Sequence, residues 1–101
     1  MTTPLTLIAK LTAKPEHADT IGEGLFGLLA QTRAEEGSID YHIHRDKDDP
    51  AVWILYENWR SRADLDAHFD RPYTKALMAR FPALLAKDME LTFCRMVSPR
   101  P

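Results

Sequence analysis

Two side chains in this chain combine proton-transfer chemistry with a position that turns them inward. His68 follows Leu65 and precedes Phe69 at helical spacing, which directs its imidazole toward whatever that helix packs on. Its reference pKa near 6.5 lets it take or give a proton at neutral pH, so it is expected to act as a general base. The alternative is a buried histidine hydrogen-bonded to a neighbour and only packing. Glu57 lies between Leu55 and Trp59 on one face of a strand-like run. A carboxylate among such residues must find a partner or hold a proton. It is expected to orient His68 or to shuttle a proton, or else to make a structural hydrogen bond or an ion pair to a helix end. Trp59, Tyr41, Tyr73 and Phe81 can wall an apolar pocket for a flat ring, because ligand sites are mostly apolar with few polar groups. In a small domain they can equally be plain core.

Other patterns suggest chemistry that their context does not support. His42-x-His44 places two imidazoles on one side of a strand, but a metal needs a third ligand. Asp40 shares that side and His17 has no reason to approach, so no metal site is expected. Gly22-Glu23-Gly24-Leu25-Phe26-Gly27 spells G-x-G-x-x-G, yet about two helical turns separate it from the preceding strand, whereas the dinucleotide fingerprint needs its first glycine at the strand-to-helix turn. Those glycines are expected to let the helix approach the sheet or to leave a cavity beside it. Cys94 stands alone and is expected to pack as a small hydrophobe.

The elements that must position His68 and Glu57 follow from periodicity. Leu5, Leu7, Ala9 and Leu11 alternate with Thr6, Ile8, Lys10 and Thr12, the period of a strand. Pro15 opens a helix in which Ala18, Ile21, Leu25, Leu28, Leu29 and Thr32 recur at helical spacing until Gly37, expected to be its C-terminal stop. Ile39 to Arg45 and Val52 to Trp59 read as strands of a hairpin around the turn-forming DKDDP. Ser61 followed by Asp64 resembles a capping box for the helix carrying His68. Pro72 and Pro82 bracket a further helical segment, and Met89, Leu91 and Phe93 alternate through a last strand. The order is βαββαβ, an α+β, ferredoxin-like arrangement in which both helices cover one face of a four-stranded antiparallel sheet. Val52 to Tyr56 is apolar on both faces, so the uncovered face is expected to expose a patch that monomers rarely tolerate. A face-to-face homodimer is the expected remedy.

Composition bounds the rest. The 101 residues suit a single domain, 1–101, with short mobile tails at 1–4 and 98–101. With 45% apolar and 28% charged residues the chain can bury a core. A net charge of −2 without basic clusters offers nothing to phosphate backbones, so neither nucleic acid nor membrane is an expected partner. An RNA-recognition domain shares the βαββαβ order, but VWILYENW lacks the glycine and basic residues of its stacking strand. One cysteine, no signal-like N-terminus and no run of about 20 apolar residues together predict a cytoplasmic protein.

Three blocks in register, EEGSIDYHIHRD (35–46), DDPAVWILYENW (48–59) and LDAHFDRPYTKAL (65–77), resemble the antibiotic biosynthesis monooxygenase (ABM) family, including the quinol monooxygenases within it. The resemblance implies a dimeric α+β barrel formed by packing sheet on sheet. It also implies oxidation of a small quinol, phenol or polyketide-like aromatic by O2 with no cofactor, neither metal nor flavin. Other members are isomerases of small carbonyl compounds or degrade haem. The haem-degrading pattern is not matched, since Ala9, His68 and Met78 stand where it has asparagine, tryptophan and a ligating histidine. Tyr73 stands where relatives commonly carry histidine in a PHxKA-like motif. A phenol or quinol yields electrons to O2 far more readily once deprotonated, so a base, an apolar pocket and hydrogen-bond donors suffice. The expected function is therefore cofactor-independent monooxygenation with His68 and Glu57 as the catalytic pair. The alternatives are carbonyl isomerisation through His68 and a non-catalytic ligand-binding or dimerisation module.

Overall fold

In the structure, a computed structural model, residues 4–99 are described; residues 1–3 and 100–101, within the tails expected to be mobile, lie outside the described residues. The β1 strand (Leu5–Thr12) sits inside the sheet, and its alternation buries Leu7, Ala9 and Leu11 on one side. The hairpin partners are β2 (Ser38–Arg45) and β3 (Val52–Trp59), and the last strand is β4 (Glu90–Arg95). Their order is β2-β3-β1-β4, antiparallel throughout. This is the ferredoxin-like arrangement that the periodicity predicts.

Register sets the faces. Leu7 and Tyr41 both pair with Glu57, placing these three side chains in a row on the helix-covered face. One residue along, Ile8 and His42 pair with Tyr56 on the opposite, open face. The core lies between sheet and helices and includes Leu7, Leu11, Ile21, Leu25, Leu55, Trp59 and Leu65. At the hairpin tip the Asp46 carboxylate accepts the backbone N–H groups of Asp48 and Asp49 at 2.8 and 2.9 Å, which fixes the turn.

The first helical stretch departs from expectation. Pro15–His17 forms a 3-10 turn, α1 runs Ala18–Gly27, and α2 runs Leu29–Arg33 after a break at Leu28 (φ −110°, ψ 3°). The helix thus ends before Gly37, and Gly37 is not in the left-handed region that a glycine stop requires. What Gly37 provides is room: a Cβ there would overlap the Asp64 side chain. Gly22 serves close approach as expected, since a Cβ would meet the Trp53 ring at 2.5 Å.

The second stretch comprises α3 (Arg62–Asp70), α4 (Pro72–Met78) and α5 (Phe81–Leu84). Ser61 Oγ accepts the Asp64 N–H at 3.2 Å and donates to the Asp64 carboxylate at 2.8 Å, so the expected N-cap is present. Arg71 turns out of helix ahead of Pro72 (φ −62°, ψ 139°), as a residue before proline should, and this redirects α4 across the sheet. Among the described residues no helix is long and apolar enough to cross a membrane.

Candidate active site

The α3 cap fixes the phase of its helix, so that Leu65 and His68, three residues apart, are its buried residues. The His68 ring lies over Trp59, centroids 4.8 Å apart and planes tilted by 33°, and meets the edge of Tyr41 at 5.9 Å. Its Nδ1 is 2.7 Å from Glu35 Oε2. Glu35 also accepts the Tyr73 hydroxyl on Oε2, and its Oε1 stands 3.6 Å from Arg71 Nε. A carboxylate only accepts, so Nδ1 carries the proton of this bond. In its neutral form such a ring presents Nε2 as an acceptor, and no hydrogen bond is made at Nε2 among the described residues.

Glu57 was expected to orient His68 or to shuttle a proton, with a structural hydrogen bond or ion pair as the alternative; the carboxylate that holds the His68 ring is that of Glu35. Glu57 Oε1 instead accepts the Trp59 indole N–H at 2.8 Å, a structural bond made two residues along the same strand face. Burial pushes the Glu57 carboxyl up to about 7; the Trp59 N–H opposes the rise and the Glu35 charge adds to it. Burial thus lets it hold a proton far closer to neutral pH than an ordinary carboxyl does, and in that form it donates as well as accepts.

His68 and Glu57 line one cavity together with Tyr41, Thr74 and the apolar residues Leu7, Ala9, Leu25, Leu55, Leu77 and Phe81. It lies between the sheet, the end of α1 and the α3 to α5 segment, and encloses about 30 Å³. Of the four aromatics expected to wall a pocket, Tyr41 and Phe81 do so, whereas Trp59 is fully buried behind His68. Tyr73 lines a separate outer cleft with Gly24, Gly27 and Arg80. Removal from water and then its bond to Glu35 push the Tyr73 phenol up to about 12, keeping it a neutral donor that holds Glu35. Burial likewise pushes Tyr41 up, with Glu57 and Glu35 adding to it.

Glu35 is the residue the sequence reading missed, although a signal for it exists. The buried stripe Ile21, Leu25, Leu28, Thr32 continues at alternating steps of four and three to Glu35, which places its carboxylate inward like the residues before it. The histidines of β2 stand elsewhere: His42 Nδ1 is 3.3 Å from an Arg33 guanidinium nitrogen and faces away from the cavity. Among the described residues no group of three or more potential ligands could hold a metal ion.

Residues 4–80, most of the chain, match the profile of the family described as antibiotic biosynthesis monooxygenase. The chain belongs to this family. Within it, the sequence is 29% identical over 92 residues to "Putative monooxygenase Rv0793" of Mycobacterium tuberculosis, covering 91% of this chain and 90% of that one. The solved structure of Rv0793 superposes with a TM-score of 0.91 at 25% identity, over 98% of this chain and 100% of that chain. The structure of PA3566 from Pseudomonas aeruginosa gives a TM-score of 0.91 at 34% identity, over 97% of this chain and 98% of that one. A protein of Synechocystis named "Uncharacterized protein sll1783" is 30% identical over 88 residues, 87% of this chain, and the match spans 60% of its own length. This ABM chain thus has relatives named as monooxygenases, and the pairing of His68 with Glu35 lies in its family-matched region.

Proposed function

We propose that the protein is a cofactor-independent monooxygenase that oxidises a small quinol, phenol or polyketide-like aromatic with O2. The observation that carries this reading is the Glu35–His68 pair beside a mostly apolar cavity that Glu57, Tyr41 and Thr74 also line. A hydroxyl on the ring gives its proton to Nε2, and the resulting anion is the electron-rich species that O2 attacks. For a quinol, one oxygen atom enters the ring and the other leaves as water, giving a hydroxyquinone; the quinol supplies both electron pairs and no other reductant is needed. Glu57, its carboxyl pushed up to about 7 by burial, hydrogen-bonds the ring oxyanion or returns a proton to the reduced oxygen when protonated.

The test is O2 uptake by metal-free protein against hydroquinones and polycyclic phenols, with spontaneous autoxidation subtracted and His68→Ala alongside. Uptake above background that falls by about 10²-fold or more in the variant is the expected result. Uptake unaffected by His68→Ala removes His68 as the base, and no uptake with any ring rejects the monooxygenase reading. A base and a neutral acid on one cavity also favour proton-transfer isomerisation of a small carbonyl compound, which would convert substrate without consuming O2.

A further inference from the structure

The polar groups on the cavity wall are unequally provided for. Glu57 takes the Trp59 N–H and His68 rests on Glu35. The Thr74 hydroxyl is buried without a hydrogen-bond partner among the described residues, in a residue only 5% exposed. A helical threonine commonly returns its hydroxyl to the carbonyl one turn earlier. Four residues before Thr74 stands Asp70, the last residue of α3, the chain leaves helical geometry at Arg71, and the Arg71 carbonyl accepts the Lys75 N–H at 2.9 Å; the Thr74 hydroxyl bonds to neither carbonyl. Thr32 also has an unpartnered hydroxyl, but it is not among the residues lining the cavity. A buried hydroxyl without a partner is destabilising, and at Thr74 whatever occupies the cavity can supply that partner.

The cavity's 30 Å³ holds a water or two, whereas a benzene ring fits a cavity of roughly 150 Å³. A groove of about 510 Å³ lies alongside, and Met78, Phe81 and Met89 belong to the walls of both. Two of these three are methionines, whose unbranched thioethers repack readily. Displacing these shared walls would join groove to cavity and open room for a ring beside Phe81 and Met89.

We propose that Thr74 is the specificity-determining residue of this site, its hydroxyl hydrogen-bonding a second oxygen on a ring whose first hydroxyl is held by His68. The site thereby selects dihydroxy aromatics over monophenols. This rests on the aromatic-oxidation reading above. A threonine hydroxyl both donates and accepts, so it serves the quinol and the quinone carbonyl alike.

Anaerobic calorimetric titration of hydroquinone and of 4-methylphenol into wild type, Thr74→Val and Thr74→Ser tests it without turnover. Wild type is expected to prefer hydroquinone by about five- to tenfold, Thr74→Val to bind the two rings equally, and Thr74→Ser to restore the preference. Thr74→Val is expected to melt no lower than wild type, because it removes an unpartnered hydroxyl. A preference that survives in Thr74→Val, its absence from wild type, or failure of both rings to bind overturns the proposal. A preference that follows Thr74 in a protein showing no O2 uptake leaves the Thr74 assignment standing and removes the oxidation reading alone.

Discussion

Glu35 determines what His68 can do, because a histidine whose Nδ1–H is fixed on a carboxylate is a base at its other nitrogen. Glu35→Gln keeps the shape and removes the charge, and either end of the new amide can face Nδ1. Its expected effect is a fall in kcat of about 10- to 100-fold with little change in KM. The positioning role is read separately from the imidazole ¹⁵N shifts of His68, which should move from the Nδ1–H tautomer toward a mixture; unchanged shifts would deny it. Glu57 yields a pH signature. Its carboxyl titrates near 7 in the folded protein, against an ordinary value of 4.5, so the folded state holds a proton that the unfolded state has lost between those values. Stability from this group is full below about 4.5 and declines as pH rises through 7, by no more than about 3 kcal/mol. Thermal melts of Glu57→Gln should therefore gain on wild type steadily from pH 5 to pH 8, and a constant difference would contradict the buried carboxyl. Of this site, His68 was legible because a capped helix fixes its phase. Glu35 lies 33 residues away beyond a helix break, and its pairing with His68 depends on tertiary packing that neither local pattern records.

At the level of elements, β1 was readable because sheet burial imposes period two on it, whereas β3, buried along nearly its whole length, was readable from its β-branched and aromatic content. The helices were readable in phase but not in extent. Leu28 and Arg71 interrupt them, and only the proline after Arg71 announces its break in the sequence. Gly22 shows how packing overrides propensity. In an exposed helix Gly→Ala is favourable by about 1 kcal/mol, but at Gly22 the new methyl would lie 2.5 Å from the Trp53 ring. That ring is anchored by its N–H to the Ala18 carbonyl at 3.0 Å and covered by Arg45, so it cannot swing aside. Overpacking costs typically 1–3 kcal/mol, and Gly22→Ala is expected to show a net loss of about 1 kcal/mol or more by urea unfolding. A stabilised variant would mean that α1 slides freely over β3.

For the whole molecule, the open sheet face poses the remaining question of what covers it. Ile8 and Tyr56 pair across β1 and β3 at its centre, each 36% exposed. Toward one end, Asn58 donates to Asp40 and Tyr56 at 2.9 and 3.0 Å and accepts from Thr6, so these polar groups are tied to one another within the face. Four strands spaced about 4.8 Å apart and about 26 Å long present roughly 500 Å² in projection. Side-chain relief raises this toward the roughly 800 Å² per partner of a stable interface. A second copy of the same face is the expected occupant, packed about 10 Å away. In sedimentation velocity the protein should therefore run at about twice its 11.5 kDa. Ile8→Lys, which brings a charge to the centre of both faces, should shift it to monomer, while Phe26→Lys on α1, already 58% exposed, should leave the dimer intact. A wild-type protein that stays monomeric at tens of micromolar would reject the homodimer, and equal dissociation by both variants would place its interface on the helices instead.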